Sequence, residues 1–441
     1  MSELTERLWR NYGTLTFDEL PDDVVLVAQQ CILDWFGCAL AGSREPLSQI
    51  LRDEFASPDG ACALIGSDLR ATPLRAAMVN GAAGHAIDFD DTSMVMGGHP
   101  TVPVLPAVLA LAEEQGRSGA DVIAAYVVGM EVQSRIGRGI GPAHYRNGWH
   151  TTSTLGVFGA AAASAWLLGL DADGFGTALG IAASNASGVK ANFGTMTKPF
   201  HPGQAAERGL LAARLAARGF TSNDAAVDGN QGFAQAAGTG SLDEDQMARL
   251  DAKWATPKTL FKFHAACHLT HAGIEATSSI CANGVAAESI ERITLTVNPQ
   301  ILDVCGITDP TTGLEAKFSL RGTQALLVHG VDTAAASSFE DGPISRPEVQ
   351  AFIEQVSVDT DDSLHTMETN VVVDTTSGSH TASANVSRPS TDLVDQGARL
   401  RRKFDALAAP VLGTGRAEVL GDQLVDVAGA ADMREVFANA R

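Results

Sequence analysis

Histidine is scarce in this 441-residue chain, eleven in all, and most of the eleven fall in short polar islands within Gly-rich, apolar sequence. The first island is Gly84-His85-Ala86-Ile87-Asp88-Phe89-Asp90-Asp91-Thr92, closed by Gly97-Gly98-His99-Pro100. Three carboxylates within four residues repel one another unless a cation or hydrogen-bond donors sit among them, and His99 is the candidate donor. A histidine oriented by an aspartate is a good general acid or base, because its ring titrates near neutral pH. The competing structural reading is a solvated acidic loop in which Asp91 or Thr92 caps a helix. The second island, His144-Tyr145-Arg146-Asn147-Gly148-Trp149-His150-Thr151-Thr152-Ser153, precedes a long apolar run. It places His150 and several hydroxyls at a helix N-terminus, where backbone N–H groups favour a bound anion. Capping by Thr152 or Ser153 would use the same position.

The third island is Asn192-Phe193-Gly194-Thr195-Met196-Thr197-Lys198-Pro199-Phe200-His201-Pro202-Gly203. Only seven lysines occur in the chain, and Lys190, Lys198, Lys253, Lys258 and Lys262 fall between 190 and 262. Lys198, held between Thr-rich and Pro-rich turns within reach of His201, suits the clamping of a carboxylate. The structural alternative is a solvated loop lysine. The fourth island runs Lys262-Phe263-His264-Ala265-Ala266-Cys267-His268-Leu269-Thr270-His271. His264, His268 and His271 would share one helical face, which raises a zinc site, but the run lacks the glutamate of H-E-x-x-H. Cys31, Cys38, Cys62, Cys267, Cys281 and Cys305 include no C-x-x-C pair, which argues against structural zinc, iron–sulfur clusters and a disulfide framework. Gly137 to Gly141 lacks dinucleotide-site spacing, and no nucleophile elbow or P-loop occurs. The expectation is chemistry by ordinary side chains, with no metal and no cofactor.

Apolar residues recur every three or four positions over 24–40, 105–115, 120–135 and 203–218, which predicts helices. After about His268 the texture changes. Strand-like alternation is present at 292–297, 356–359 and 370–374, the last followed by Ser377-Gly378 and 381–386 as a hairpin, with helical stretches at 270–283, 318–329 and 347–355. The tail from 393 turns helical again. The expected fold is therefore mainly α. A large all-helical domain (1–267 and 393–441) carries a smaller α+β lid domain (268–392), inserted before the C-terminal helices.

The net charge of −21 with no Lys/Arg-rich tract disfavours nucleic acid and anionic membrane surfaces as partners. The N-terminus lacks the basic start and apolar core of a secretion signal, and the run from Leu155 to Leu170 is too short for a membrane helix. A soluble cytoplasmic protein is expected.

Taken together, the first island, Gly98-His99-Pro100, Gly148-Trp149-His150, Lys198-Pro199, Thr270-His271 and Thr312-Gly313-Leu314-Glu315-Ala316-Lys317-Phe318-Ser319 resemble the MmgE/PrpD superfamily. Its members include 2-methylcitrate dehydratase, cis-aconitate decarboxylase and iminodisuccinate epimerase. The resemblance implies a homodimer with a cofactor-free active site between the domains, acting on a small polycarboxylate. It also implies catalytic roles for Asp88, His99, His150, Lys198 and Lys262, with Asp88 orienting His99 for proton transfer. Asp91, Thr92, His201, Cys267, His268 and Arg321 are the candidates for contacting substrate. Cys267 falls where the decarboxylase has a His and the dehydratase a Cys, and Gly322 falls where the decarboxylase's Tyr is expected. Both departures count against cis-aconitate decarboxylation. The leading expectation is a 2-methylcitrate-dehydratase-like hydro-lyase. An iminodisuccinate-type epimerase is the alternative, and a non-catalytic carboxylate-binding homologue is the rival from another class. The shared chemistry is negative charge building on carbon beside a carboxylate, which nearby cations stabilise.

Overall fold

The computed structural model describes residues 2–238, 240–251 and 253–441. Two compact units emerge, Met1–Phe261 with Thr391–Arg441, and Lys262–Ser390. The first break falls earlier than the change of texture at 268: Leu260 still exchanges two 2.8 Å backbone hydrogen bonds with Thr92 of the large domain, whereas the N–H groups of Ala265 and Cys267 already donate to Thr333 and Lys317 of the small one.

The large domain is helical, and small residues set how closely its helices approach. At the crossing of Pro73–His85 with Thr197–Ala216, a Cβ added to Gly81 would lie 2.9 Å from Gly203 Cα, and one added to Gly203 would lie 2.3 Å from the Met78 carbonyl oxygen. This approach brings His85, which ends one helix, beside Lys198 and His201, which begin the other. Gly129 and Gly159 likewise face each other's carbonyl oxygens where Gly119–Ile140 crosses Gly156–Leu167. The run from Leu155 is buried, as its composition predicts, and forms that last helix.

Thr197–Ala216 starts earlier than the apolar period suggested, so Lys198 sits in the first turn of a helix rather than in a loop. Proline is tolerated there because a first-turn N–H has no intrahelical partner, which makes Lys198-Pro199 compatible with a helix start. Asp22–Gly42 is long and apolar enough to cross a membrane by length and composition, but 78% of its most apolar stretch is buried inside the fold. Its polar residues have partners there. Gln30 donates to the Leu393 carbonyl at 2.7 Å, and Asp34 pairs with Lys403 at 2.6 Å, both on the Leu393–Leu412 segment. It is a core helix packed against the half-buried Leu393–Leu412.

The small domain has a four-stranded sheet ordered Val356–Thr360, Ile290–Val297, Glu368–Thr375, Gly378–Asn385. The first pair is parallel and the other two antiparallel. Alternate residues of Glu368–Thr375 are buried, the period-two signature of a half-covered strand. His268–Ala282 packs against Glu368–Thr375 and Gly378–Asn385. The architecture is thus mainly helical; the four-stranded sheet lies in the smaller domain near the C-terminus, and the large domain, expected to be all-helical, also carries a two-stranded antiparallel sheet, Cys62–Ala63 with Arg70–Ala71.

Candidate active site

The end of Pro73–His85 runs into a tight turn in which Asp88 takes a left-handed conformation, φ 56°. Aspartate tolerates this region better than most residues. The turn separates the three carboxylates of the first island. Asp88 remains partly open, its side chain 28% exposed, whereas Asp90 is fully buried.

Asp90 lies between two histidines. His85 Nδ1 is 2.9 and 3.0 Å from the two Asp90 oxygens, and His99 Nδ1 is 3.1 Å from Asp90 Oδ2. Burial works to raise the Asp90 pKa, but the two imidazoles win and hold it well below the usual carboxylate range. Burial lowers His85 to about 4, with Asp90 opposing, so the ring is neutral at pH 7. A neutral His85 facing an ionised Asp90 carries its proton on Nδ1. Its Nε2 is buried and has no hydrogen-bond partner among the described residues. The His99 ring meets His85 edge-on at 4.5 Å between centroids.

Asp88 serves a different partner. Lys198 Nζ donates to Asp88 Oδ1 at 2.6 Å, while His99 Nε2 is 3.7 Å from the same oxygen. The carboxylate nearer His99 is therefore that of Asp90 rather than Asp88, which differs from the pairing expected from the sequence. The cause is the left-handed turn at Asp88, which sends consecutive side chains in different directions. The backbone of His99 is fixed as well, since its N–H donates to Thr152 Oγ1 at 3.0 Å and Thr151 Oγ1 donates to the Gly97 carbonyl.

His150 sits at the N-cap of the short helix Thr151–Thr154, buried, its Nδ1 3.1 Å from His201 Nδ1 and its ring 4.9 Å from Phe193. Burial pushes its pKa far down, and the charges of His85, Lys198, His99 and His201 add to this. His201 is lowered for the same reasons, burial first and Lys198 second. The structure therefore brings Asp88, His99, His150, Lys198 and His201 together, and adds His85 and Asp90, which the sequence reading did not select. The signal for them was present. A His and an Asp five residues apart across a helix end can meet, but the island offered three aspartates and nothing to rank them.

Asp91 does not join this group. Its carboxyl is buried, accepting from the Thr101 hydroxyl and N–H, and Thr101 Oγ1 is 2.6 Å from Tyr126 Oη. Thr92 is committed through its backbone to Leu260. Beneath the turn, Lys403 Nζ donates to the Phe89 carbonyl at 2.7 Å and pairs with Asp34, pinning the backbone one residue before Asp90.

Lys262, Cys267, His268 and Arg321 belong to the small domain. Lys262 is buried, and with His264 and His268 it lowers the pKa of His271, for which burial is the largest cause. Cys267 caps His268–Ala282 and its N–H donates to the Lys317 carbonyl at 2.9 Å. Arg321 lies half-buried in Leu320–Val328. The three histidines do not converge as zinc ligands. His264 Nδ1 is 2.8 Å from Thr333 Oγ1, and His271 Nε2 faces the Ala266 carbonyl at 3.3 Å. In the large domain, ligand-type atoms of His85, Asp88, Asp90 and His99 lie within 4.8 Å of one another, a spacing that a metal ion can bridge. An ion there would compete with Lys198 for Asp88 and with His85 for Asp90.

Residues 7–245 match the family model for the MmgE/PrpD N-terminal domain, and residues 264–425 match that for the MmgE/PrpD C-terminal domain. The chain belongs to the MmgE/PrpD family. Among curated relatives of this MmgE/PrpD protein, a cis-aconitate decarboxylase of Aspergillus terreus is 36% identical over 295 residues, 63% of this chain. That match spans 60% of the relative's own length. The cis-aconitate decarboxylase of Aspergillus terreus strain NIH 2624 / FGSC A1156 is 32% identical over 81% of this chain and 78% of its own. The human enzyme of that name is 32% identical over 81% of this chain and 77% of its own.

The inward-facing Asp91 of this MmgE/PrpD protein has a consequence for stability. Burial raises its pKa to about 8; the Thr101 hydrogen bonds oppose the rise, and the Asp34 and Asp90 charges add to it. Between the unfolded value of 3.8 and about 8 the folded chain holds a proton that the unfolded chain releases. Stability from this group is therefore lost as pH rises through that window. Asp91→Asn cannot ionise, so it should stabilise the protein at pH 9 by on the order of 1–3 kcal/mol, a fraction of the full linkage of about 1.4 kcal/mol per unit. It should bring no such gain at pH 4. Thermal melts across this range check the slope, and a gain of equal size at both ends would contradict it.

Proposed function

We propose that this chain is a lyase of a small di- or tricarboxylate, with His99 moving a proton at the carbon beside a carboxylate that Lys198 holds. The observation that carries the reading is the double pairing of the first island. Asp90, buried and ionised, faces Nδ1 of His99 and leaves Nε2 as the working nitrogen, while Lys198 stands beside it on the partly open Asp88. A substrate carboxylate can take the place of Asp88 at the Lys198 ammonium. The neutral, buried His85 and His150 rings give a low-dielectric wall that strengthens this contact without adding positive charge of their own. Asp90 stands 3.1 Å behind His99 Nδ1, the position that an aspartate takes behind the histidine of a hydrolase triad.

The same proton transfer serves several leaving groups. Loss of carbon dioxide leaves an electron pair on carbon that His99 protonates, whereas in loss of water His99 takes the proton from carbon, the C–H electron pair forms the double bond as the C–O bond breaks, and the departing hydroxide leaves as water with the proton that His99 returns. Relatives named for cis-aconitate decarboxylation favour carbon dioxide. A second reading, loss of water, is favoured by Cys267 and Gly322. A Cβ added at Gly322 would lie 2.8 Å from Pro310 Cγ, so the tyrosine expected of a decarboxylase there would require Pro310 to move. The proposal includes a cytoplasmic homodimer working without a resident cofactor, with Lys262 as a further carboxylate-binding cation.

Incubation with cis-aconitate and a panel of hydroxylated di- and tricarboxylates in deuterated water tests the reading. Carbon dioxide release with deuterium in the product assigns decarboxylation, and new alkene absorbance assigns dehydration. Deuterium at a retained stereocentre would instead assign epimerisation. Turnover of no acid in the panel would refute the lyase reading.

A further inference from the structure

A second feature of the large domain is electrostatic. The end of Gly119–Ile140, the Glu244–Asp251 helix and the Thr256–Lys258 turn line a pocket of about 300 Å³ together with Met94 and Val95. Four of its lining residues are cations, Arg138, Arg249, Lys253 and Lys258, and none is acidic. This is the reverse of the chain as a whole, in which 52 Asp and Glu outnumber 31 Lys and Arg.

Among the described residues these four side chains form no hydrogen bond or ion pair, and the carboxylates beside them are already engaged. Glu131 accepts from Arg135, from the N–H groups of Ala255 and Thr256 at 2.9 Å, and from the Thr256 hydroxyl at 2.7 Å. Asp251 pairs with Arg7 at 2.7 Å. The amine of Lys258 titrates below the usual lysine value through burial and the charge of Lys253, with Arg135 and Arg138 adding and Glu131 opposing. A concentration of unpaired positive charge at a concave surface attracts small anions, and it lowers stability until one binds.

We propose that this pocket binds a small anion carrying two or more negative charges, a polycarboxylate or a phosphorylated metabolite, at a site distinct from the histidine cluster. Its position points to regulation of that cluster, a role that rests on the proposed lyase reading, whereas the binding does not. Met94 and Val95 belong to the turn closed by the 2.8 Å bond from Ser93 N to the Gly98 carbonyl, and His99 follows at once. The other wall is tied to the same segment, since Leu260, two residues after Lys258, bonds Thr92. An anion bridging Lys258 and Arg138 would hold this turn, and with it the backbone of His99.

Isothermal titration of the full chain at low salt with inorganic pyrophosphate and with citrate tests the site. Pyrophosphate should bind the wild type and Lys198→Met alike, and Arg249→Ala/Lys253→Ala should weaken it by at least about tenfold, as loss of two charge-assisted contacts implies. Both replaced side chains are exposed, and Arg138→Gln, expected to weaken binding as well, decides the matter if the double variant melts early. The ratio of citrate to pyrophosphate affinity assigns the ligand class. Unchanged binding in these variants, loss of binding in Lys198→Met, or no binding to the wild type at millimolar anion would each overturn the proposal. So would a double variant that changes the oligomeric state and leaves anion binding intact, because the pocket would then be a protein interface. Retained binding with no effect on turnover would separate the site from the lyase reading.

Discussion

Asp90→Asn is expected to lower kcat by about 10³- to 10⁴-fold with a small change in KM, the size seen when the aspartate behind a catalytic histidine loses its charge. The asparagine keeps the shape of the side chain, so the loss comes from proton placement and charge. Asp90 is fully buried and faces Nδ1 of both His85 and His99. An amide can accept from one ring only by presenting its NH₂ to the other, which forces that ring into the opposite tautomer. It also no longer stabilises a protonated His99. The pH–rate profile is the discriminating readout. A base limb displaced along the pH axis, in a protein that melts within a few degrees of wild type, is the expected pattern. An Asp90→Asn enzyme of near-normal kcat would show that His99 is not the proton carrier.

The second large effect is on the cation. Lys198→Met should cut kcat/KM by about 10²- to 10³-fold, the range for loss of one preorganised charge-stabilising group, with KM rising as well because the same ammonium binds the ground-state carboxylate. Lys198→Arg should recover part of the binding and less of the rate, since a guanidinium is broader and holds its charge farther from Asp88 Oδ1, now 2.6 Å from Nζ. The replacement also frees Asp88, whose carboxylate would repel an anionic substrate, so Asp88→Asn/Lys198→Met should be less impaired in KM than Lys198→Met alone. Steady-state kinetics of the three variants separate these contributions. Equal KM values in all three would place the substrate carboxylate elsewhere.

Much of this was legible in the sequence, for physical reasons. Helices of the large domain show themselves through apolar residues that recur every three or four positions, although Thr101–Gln115 and Gly156–Leu167 are buried almost all round, and Glu368–Thr375 shows itself because every second side chain is buried. The chemical islands stand out because polar residues inside a tightly packed, glycine-rich helical domain need a partner or a task. What the sequence hides is direction. Asp88, Asp90 and Asp91 are equivalent as letters, and a single left-handed residue decides that one meets lysine, one meets two histidines and one turns into the core beside Thr101. His85 was hidden for the same reason, since its role depends on which aspartate reaches it. Lys198 read as a loop residue because two prolines follow it closely, although a helix tolerates proline in its first turn. Asp22–Gly42 reads as a mostly apolar helix, and only its contacts with Lys403 and Leu393 show why Asp34 and Gln30 are there.

The central claim is that Lys198 and the Asp90-backed His99 act on one and the same acid. A crystal structure of the full chain with a slow or inert tricarboxylate bound is the most direct test. The account predicts a carboxylate oxygen about 2.7–3.2 Å from Lys198 Nζ, with the carbon beside that carboxylate facing His99 Nε2. An acid bound with the Lys198–Asp88 pair intact and its carbon skeleton turned away from His99 would contradict it.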